Sequence, residues 1–452
     1  MTQYVEFCSP IETEVLSLKH FLCLLLIAPA LVWGQSNAPP AEGSILAPVN
    51  NELPSWLRLS GEYRVRAEGY EGGSYTTGNN QGYLLSRFQL NMDMRFSWFR
   101  VFAQTEDSRV LGNDAIPDAY PYQDTFDLRQ AFVELGDSEK GRFAVRAGRQ
   151  ELNFGDQRIL GISNWINTPR TFDAVRADLN YGNVRVDAFS ASLVNAVDGP
   201  FDHSKAGDDL HGLYGTISHI LPGATIEPYL LWHLGAGFKT EEGLAARRST
   251  KTLAIRIARP AKDRLDYEAH LLRQFGSIGS DSVSAYAMNF DLGYTWSNTA
   301  LKPRIYGDYA YASGDNNPHD GTINTFDQIY PSNHGLYGIA DLFGWQNLQD
   351  EKLGLEVKPT KRLMVSTVFH NLNLASSRDA LYNGSGSAVV RNVSGADGSH
   401  LGKEWEGTGT FKVTKYLTSG VGYGHLFPGD FVKKASKGSA YNISYLFFTY
   451  AF

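Results

Sequence analysis

Cysteine is nearly absent from this chain: there are two, Cys8 and Cys23, and both fall in the first 34 residues. If that segment is removed as a secretory signal, no thiol remains, which excludes a disulfide framework and any cysteine-based metal or nucleophile site. Positive charge is also short, with Lys+Arg 41 against Asp+Glu 48 and a formal net charge of −7. Residues 1–34 hold three Glu and one Lys, or −2, so −5 remains for the rest. No basic domain stands out, which argues against nucleic acid as a partner. Beyond the N-terminus no apolar run approaches the roughly 18 residues that a membrane helix needs, so a helical membrane protein is excluded. Catalytic and cofactor signatures are missing too. His203, His211, His219 and His233 have no zinc spacing, there is no G-x-S-x-G elbow, and Gly420, Gly422 and Gly424 precede no helical pattern and read better as close strand packing. No cofactor and no enzyme site is expected.

What is present begins with Lys19-His20, the apolar run 21–33 and Gly34-Gln35, which has the form of a secretory signal over residues 1–34. Residues 35–54 are polar and proline-rich and read as a periplasmic linker. From residue 55 to 452 the pattern has a period of two. Over 56–69, Arg58, Ser60, Glu62, Arg64, Arg66 and Glu68 alternate with Leu57, Leu59, Tyr63, Val65 and Ala67. The next run sets Arg87, Gln89, Asn91, Asp93 and Arg95 against Leu84, Phe88, Leu90, Met92, Met94 and Phe96. Such alternation is a β-strand. Runs of this length recur to the end, longer than the roughly 5–6 residues of soluble strands. Tight turns near Ser97 and at 136–141, 181–183, 221–224, 260–264, 297–302, 359–361 and 414–417 alternate with longer loops. The longer loops are 70–81, 110–124, 155–171, 195–211, 235–249, 276–282, 313–347, 375–400 and 427–438. Eight short turns and nine long loops join eighteen strands, which predicts an all-β fold: a transmembrane antiparallel up-and-down β-barrel with long extracellular loops.

In that barrel the apolar phase faces lipid and the polar phase lines a lumen. Trp56, Trp98, Trp296, Tyr306, Tyr309 and Tyr311 suit aromatic bands at the membrane edges. The last run, with Leu446, Phe448 and Tyr450 in phase and Phe452 at its end, resembles the signal by which barrel-assembly machinery recognises its substrates. Alternation turns Arg58, Arg64, Arg66, Arg87, Arg95, Arg100, Arg129, Arg146, Arg176, Arg185, Arg256 and Arg304 inward, with Glu62, Asp93, Asp178, Asp187, Glu227, Asp291 and Asp308 on the same phase. Some of these pairs brace the wall. Collectively, guanidinium forks bind carboxylates bidentately, and cationic rings favour anions in pores.

The stretch 148–179 joins two strand-like runs through a middle rich in Arg, Asp, Asn and Gln, and it is expected to fold back into the pore. Its wording, Gly148-Arg149-Gln150-Glu151-Leu152, Gly155-Asp156-Gln157-Arg158, Asn164-Trp165, Asn167, Arg170 and Phe172-Asp173-Ala174-Val175, resembles the alginate-export family of outer-membrane porins. Leu128-Arg129-Gln130-Ala131-Phe132, Ser313-Gly314-Asp315-Asn316-Asn317-Pro318, Thr325-Phe326-Asp327, Tyr330-Pro331 and His425-Leu426-Phe427 also look like that family. The resemblance implies an eighteen-stranded barrel with an electropositive lumen that passes a polyuronate. It also implies Arg129, Arg149, Arg158, Arg170 and Asp173 as constriction residues, although Arg149 is out of phase with Arg146.

The expected function is passive, anion-selective passage of an acidic saccharide or small acidic solute across the bacterial outer membrane, with periplasmic export partners as possible feeders. An outer-membrane enzyme or adhesin using the long loops is the alternative. The oxygen-rich loop Asp315, Asn316, Asn317, Asp320 and Asp327 is a weaker Ca²⁺ candidate, since it lacks EF-hand spacing.

Overall fold

The computed structural model describes residues 44–113, 115–261 and 264–452. The expected signal, both cysteines and residues 35–43 of the expected linker lie outside the described residues. The rest of the linker carries a short helix, Ala47–Glu52, whose Asn50 exchanges hydrogen bonds with the backbone of Leu59 (Nδ2 to O 2.8 Å, N to Oδ1 2.8 Å).

The strands in chain order are β1 (Leu57–Glu71), β2 (Gln81–Arg95), β3 (Phe99–Leu111), β4 (Asp124–Gly136), β5 (Phe143–Gln150), β6 (Phe172–Tyr181) and β7 (Val184–Asn195). They continue with β8 (His203–Ser218), β9 (Thr225–Lys239), β10 (Ala245–Arg259), β11 (Arg264–Ile278), β12 (Asp281–Thr295), β13 (Arg304–Ala312) and β14 (Thr322–Ile323). The last are β15 (Leu348–Val357), β16 (Leu363–Leu374), β17 (Ala380–Tyr382), β18 (Ala388–Arg391), β19 (His400–Lys412), β20 (Leu417–Pro428) and β21 (Tyr441–Ala451). Eighteen of them form one closed antiparallel sheet, in which each strand pairs with its neighbour in sequence and β21 returns to β1 through Tyr63↔Tyr450 and its flanking pairs. The two-residue β14 pairs parallel to β12, and β17 with β18 makes a separate small hairpin. Closure leaves no unpaired edge, which is what a strand-built membrane span requires.

Burial follows the alternation. On β1, Arg64 and Arg66 are buried while Tyr63 is exposed; on β2, Arg87 and Gln89 are buried while Phe88 and Met92 are exposed. The exposed large apolar side chains form the outer surface, as a lipid-facing wall demands.

All eight expected tight turns lie at one end of the barrel, the turn end. At the other, the loop end, three connections are shorter than expected: 196–202 joins β7 to β8, 240–244 joins β9 to β10, and only Gly279 and Ser280 join β11 to β12. There the strands carry polar residues on both faces. Without the apolar phase, polar strand and loop look alike in sequence. Tyr306 is a second correction, because it shares the inward phase of β13 with Arg304 and Asp308 and stacks on Arg304 (4.2 Å) instead of joining an outer band.

Two loops fold into the barrel and meet there. Residues 151–171 and 313–347 join through a bridge between Leu160 and Tyr330, where the Tyr330 N–H donates to Ile159 O (3.0 Å) and the Gly161 N–H to Tyr330 O (2.8 Å). Leu152, Ile159, Trp165, Phe326, Tyr337, Phe343 and Trp345 pack between them into an apolar core inside the lumen. The 375–399 connection closes over this core, with Gly384 O accepting from Asn333 Nδ2 (2.7 Å) and Gln328 Nε2 (3.0 Å).

Candidate functional site

The lumen and its inner plug make the candidate site. Strands β1 and β2 send Arg64, Arg66 and Arg87 inward on one phase, and all three reach the carbonyls of residues 164–166. Arg64 donates to Asn164 O (2.8 Å), Trp165 O (3.0 Å) and Ile166 O (2.9 Å). Arg87 donates to Asn164 O (3.1 Å) and to Glu62 (2.9 Å). Arg66 donates to Trp165 O, pairs with Glu68 and stacks 3.9 Å over the Trp165 ring, which also lies parallel to the His334 ring at 3.8 Å. Three cations thus face two carboxylates, and much of their donor capacity is spent on neutral carbonyl oxygens.

Next around the wall, Arg129 donates to Gln104 (2.5 Å) and Glu151 (2.7 Å), and Asn167 is held by carbonyls of Ser86 (3.0 Å) and Tyr122 (2.8 Å). Arg170 donates to Gly161 O (2.7 Å) and Pro331 O (3.2 Å), which ties the two loops together.

Arg158 lies at the centre of the plug, 4 % exposed, paired with Asp156 (2.8 Å), hydrogen-bonded to Tyr337 Oη (2.9 Å) and 3.6 Å from Asp308 of β13. Burial raises the Asp156 carboxyl, but the Arg158 guanidinium outweighs it and holds the group well below the usual carboxylate range. Asp327 behaves alike: against burial, Arg248 and His233 hold it well below that range. On the far wall the carboxylates of Glu406 and Glu404 accept the N–H groups of Ile339 (2.8 Å) and Ala340 (3.2 Å), and Lys352 donates to Leu336 O (3.1 Å).

Toward the turn end the arginine ladder expected from alternation is in place, and every rung but Arg58 is matched by a carboxylate. Arg100 pairs with Asp93 (2.7 Å), Arg146 with Glu134 (2.5 Å), Arg176 and Arg185 with Asp187 (2.7 and 2.8 Å), Arg256 with Glu227 (2.7 Å) and Glu268 (2.5 Å), and Arg304 with Asp266 (2.5 Å). Arg95, also paired with Asp93 (3.0 Å), sits half exposed at the rim, and Arg58 bonds the backbone of Leu57 (2.6 Å).

Two sequence expectations are corrected. Arg149 and Asp173 pair with each other (2.9 Å) on the outward phase of β5 and β6, because Phe172, Ala174 and Gln150 take the inward positions. The oxygen-rich 313–327 loop does not gather its oxygens around one point. Asp315 accepts the N–H groups of Asn317 (2.9 Å) and Asn324 (3.2 Å), Asn317 donates to Asp320 (3.4 Å), and Asp327 is taken by Arg248.

Sequence reasoning missed Arg248, Lys352, Glu404 and Glu406. Glu404 and Glu406 flank Trp405 in a period-two pattern that was there to be read, whereas Arg248 lies in a polar run that looked like loop.

The alginate export family model matches residues 55–445. No curated protein matches the sequence. Among solved structures, Pseudomonas aeruginosa OpdQ is similar at TM-score 0.59 and 12% identity, covering 88% of this chain and 97% of its own. OccK3 (OpdO) of the same organism matches at TM-score 0.58 and 11% identity over 87% of this chain and 95% of its own. Its OccK2 (OpdF) in complex with glucuronate matches at TM-score 0.56 and 13% identity over 87% and 97%. At these identities the likeness is one of fold, that of an outer-membrane porin barrel. With nearly the whole barrel covered by the family model, the chain belongs to the alginate export family.

Proposed function

We propose that this barrel is a passive, anion-selective outer-membrane pore for an acidic saccharide, of the polyuronate kind, or for a smaller acidic solute. The observation that carries this reading is the cluster Arg64, Arg66 and Arg87, whose guanidiniums donate to the carbonyls of 164–166. A carboxylate is a stronger acceptor than a carbonyl for such a fork, so an acidic solute competes with the loop for these donors. Binding and loosening of the loop are then one event. The family description and the glucuronate bound in a fold neighbour support the same solute class.

In this reading the turn end faces the periplasm, where export partners would deliver solute. The apolar outer face sits in outer-membrane lipid, and the terminal strand ending at Phe452 is what barrel-assembly machinery would recognise. Arg129, Arg158 and Arg170 act as the constriction by holding the plug, not as free anion ligands.

Refolded protein in planar bilayers tests this. Reversal potentials should show anion preference, and oligouronates should block the current where neutral oligosaccharides do not. Charge-assisted hydrogen bonds are worth about 1.5–3 kcal/mol each, so Arg64→Ala with Arg87→Ala should weaken uronate block at least about tenfold. Cation preference, or block unchanged in that variant, would refute the proposal and return attention to an enzymatic or adhesive role for the loops.

A further inference from the structure

At the loop end of the barrel, Asp124, Asp127 and Asp202 bring their carboxylates together, with one oxygen from each within 4.8 Å of the others. Asp124 opens β4, Asp127 follows three residues later, and Asp202 is the last residue before β8. The 196–202 connection reaches them by crossing the short strands β5 and β6. Its Asp202 N–H donates to Asp127 Oδ2 (2.7 Å), and Asp198 accepts from Thr125 N (2.9 Å), Thr125 Oγ1 (2.8 Å) and Gln123 Nε2 (3.1 Å).

Two features separate this cluster from ordinary surface acidity. Asp124 is 5 % exposed and Asp127 3 %, and Asp124 Oδ1 is buried and meets no hydrogen-bond donor among the described residues. Nor does any of the three carboxylates form an ion pair among the described residues, although the charge of Arg149 acts on Asp202. Arg149 beside it is committed to the Asp173 carboxylate (2.9 Å) and the Asp202 carbonyl (3.0 Å), and Arg129 to Glu151 and Glu106. The other three-residue group inside the barrel, Asp156, Glu268 and His270, differs on this point, since Arg158 and Arg256 already neutralise its carboxylates.

We propose that Asp124, Asp127 and Asp202 bind a calcium ion that clamps the 196–202 connection onto the start of β4. An all-oxygen, anionic donor set selects a hard cation over a transition metal. Calcium takes oxygen ligands at about 2.3–2.6 Å in irregular geometry, so opposite ligands span roughly 4.6–5.2 Å, which these oxygens fit. Magnesium demands a near-ideal octahedron and gives up its waters reluctantly, so it is the less suited of the two to buried carboxylates.

The test is isothermal titration of CaCl₂ into the refolded full barrel after chelation, alongside its thermal midpoint with Ca²⁺ or Mg²⁺. One site per chain is expected, with Kd on the order of 10⁻⁴–10⁻³ M as in extracellular calcium modules, and a rise in Tm specific to Ca²⁺. Asp124→Asn with Asp202→Asn should weaken binding at least tenfold and remove the Tm rise. Asp202→Asn alone, in a connection and outside the sheet, serves if the double variant does not refold. No saturable heat in the parent protein, or identical heat in the folded variants, would overturn the proposal.

Discussion

Asp202 shows how far one carboxylate's chemistry depends on who its neighbours are. Asp127 and Glu106 raise it, Arg149 and the Val197 N–H lower it, and burial decides the balance, leaving it at about 6. A folded value above the usual aspartate value of about 3.9 means that the folded state holds this proton more tightly than the unfolded chain does. Ionising Asp202 therefore costs stability above pH 6, and that cost is relieved as the pH falls through 6. Thermal melts in chelator should show Tm rising from pH 7.5 to 5, and rising less in Asp202→Asn than in the parent; a parent protein with a flat profile there would contradict the assignment. Asp156 and Asp327 work in the opposite sense. Their stabilisation is full above the ordinary carboxylate range and is lost only as the pH falls through their depressed values, so neither disturbs this window.

At the scale of elements, the plug is held by backbone groups presented to side chains of the wall. Gly338 has φ +96°, and a Cβ there would stand 2.5 Å from both carboxylate oxygens of Glu404, so only glycine lets the next two N–H groups meet Glu406 and Glu404. Gly338→Ala combines a left-handed alanine with that collision, a strain of about 1–3 kcal/mol, which the loop escapes by leaving the wall. Open probability in single-channel records should rise about tenfold for each 1.4 kcal/mol, with faster amide exchange at 335–341 and an intact barrel; unchanged exchange and conductance would show that this contact is no latch. None of this was legible in the chain, because Arg64 and its acceptors at 164–166, or Ile339 and Glu406, are distant in sequence and meet only once the sheet closes. The strands were legible because a wall between lipid and water imposes an alternation at every position of Leu57–Glu71 or Gln81–Arg95. The inward arginines followed from the same rule. Their partners did not, since Arg176 and Asp187, or Arg304 and Asp266, belong to different strands whose register the sequence does not print. Where the wall rises past the apolar zone, as at 235–239 and 245–249, the rule lapses and strand was mistaken for loop.

For the whole molecule, the decisive property is an inverted partition of polarity: charges converge within a closed sheet while Leu271, Leu253, Leu292 and Leu353 stand exposed on its outside. A water-soluble barrel of this size would pay heavily for such a surface, while a membrane rewards it. Depth offers a direct check on β11. Leu271 lies at mid-strand and Leu265 near the turn end, both on the outer phase, with His270 and Asp266 turned inward. In lipid, an arginine at mid-depth costs about 2–4 kcal/mol and one near the interface about 0–1. Leu271→Arg should therefore lower the unfolding free energy in vesicles by that larger amount, and Leu265→Arg should leave it nearly unchanged. Equal and small effects at the two positions would mean that the outer face meets water at every depth, and the membrane-spanning reading would fall with them.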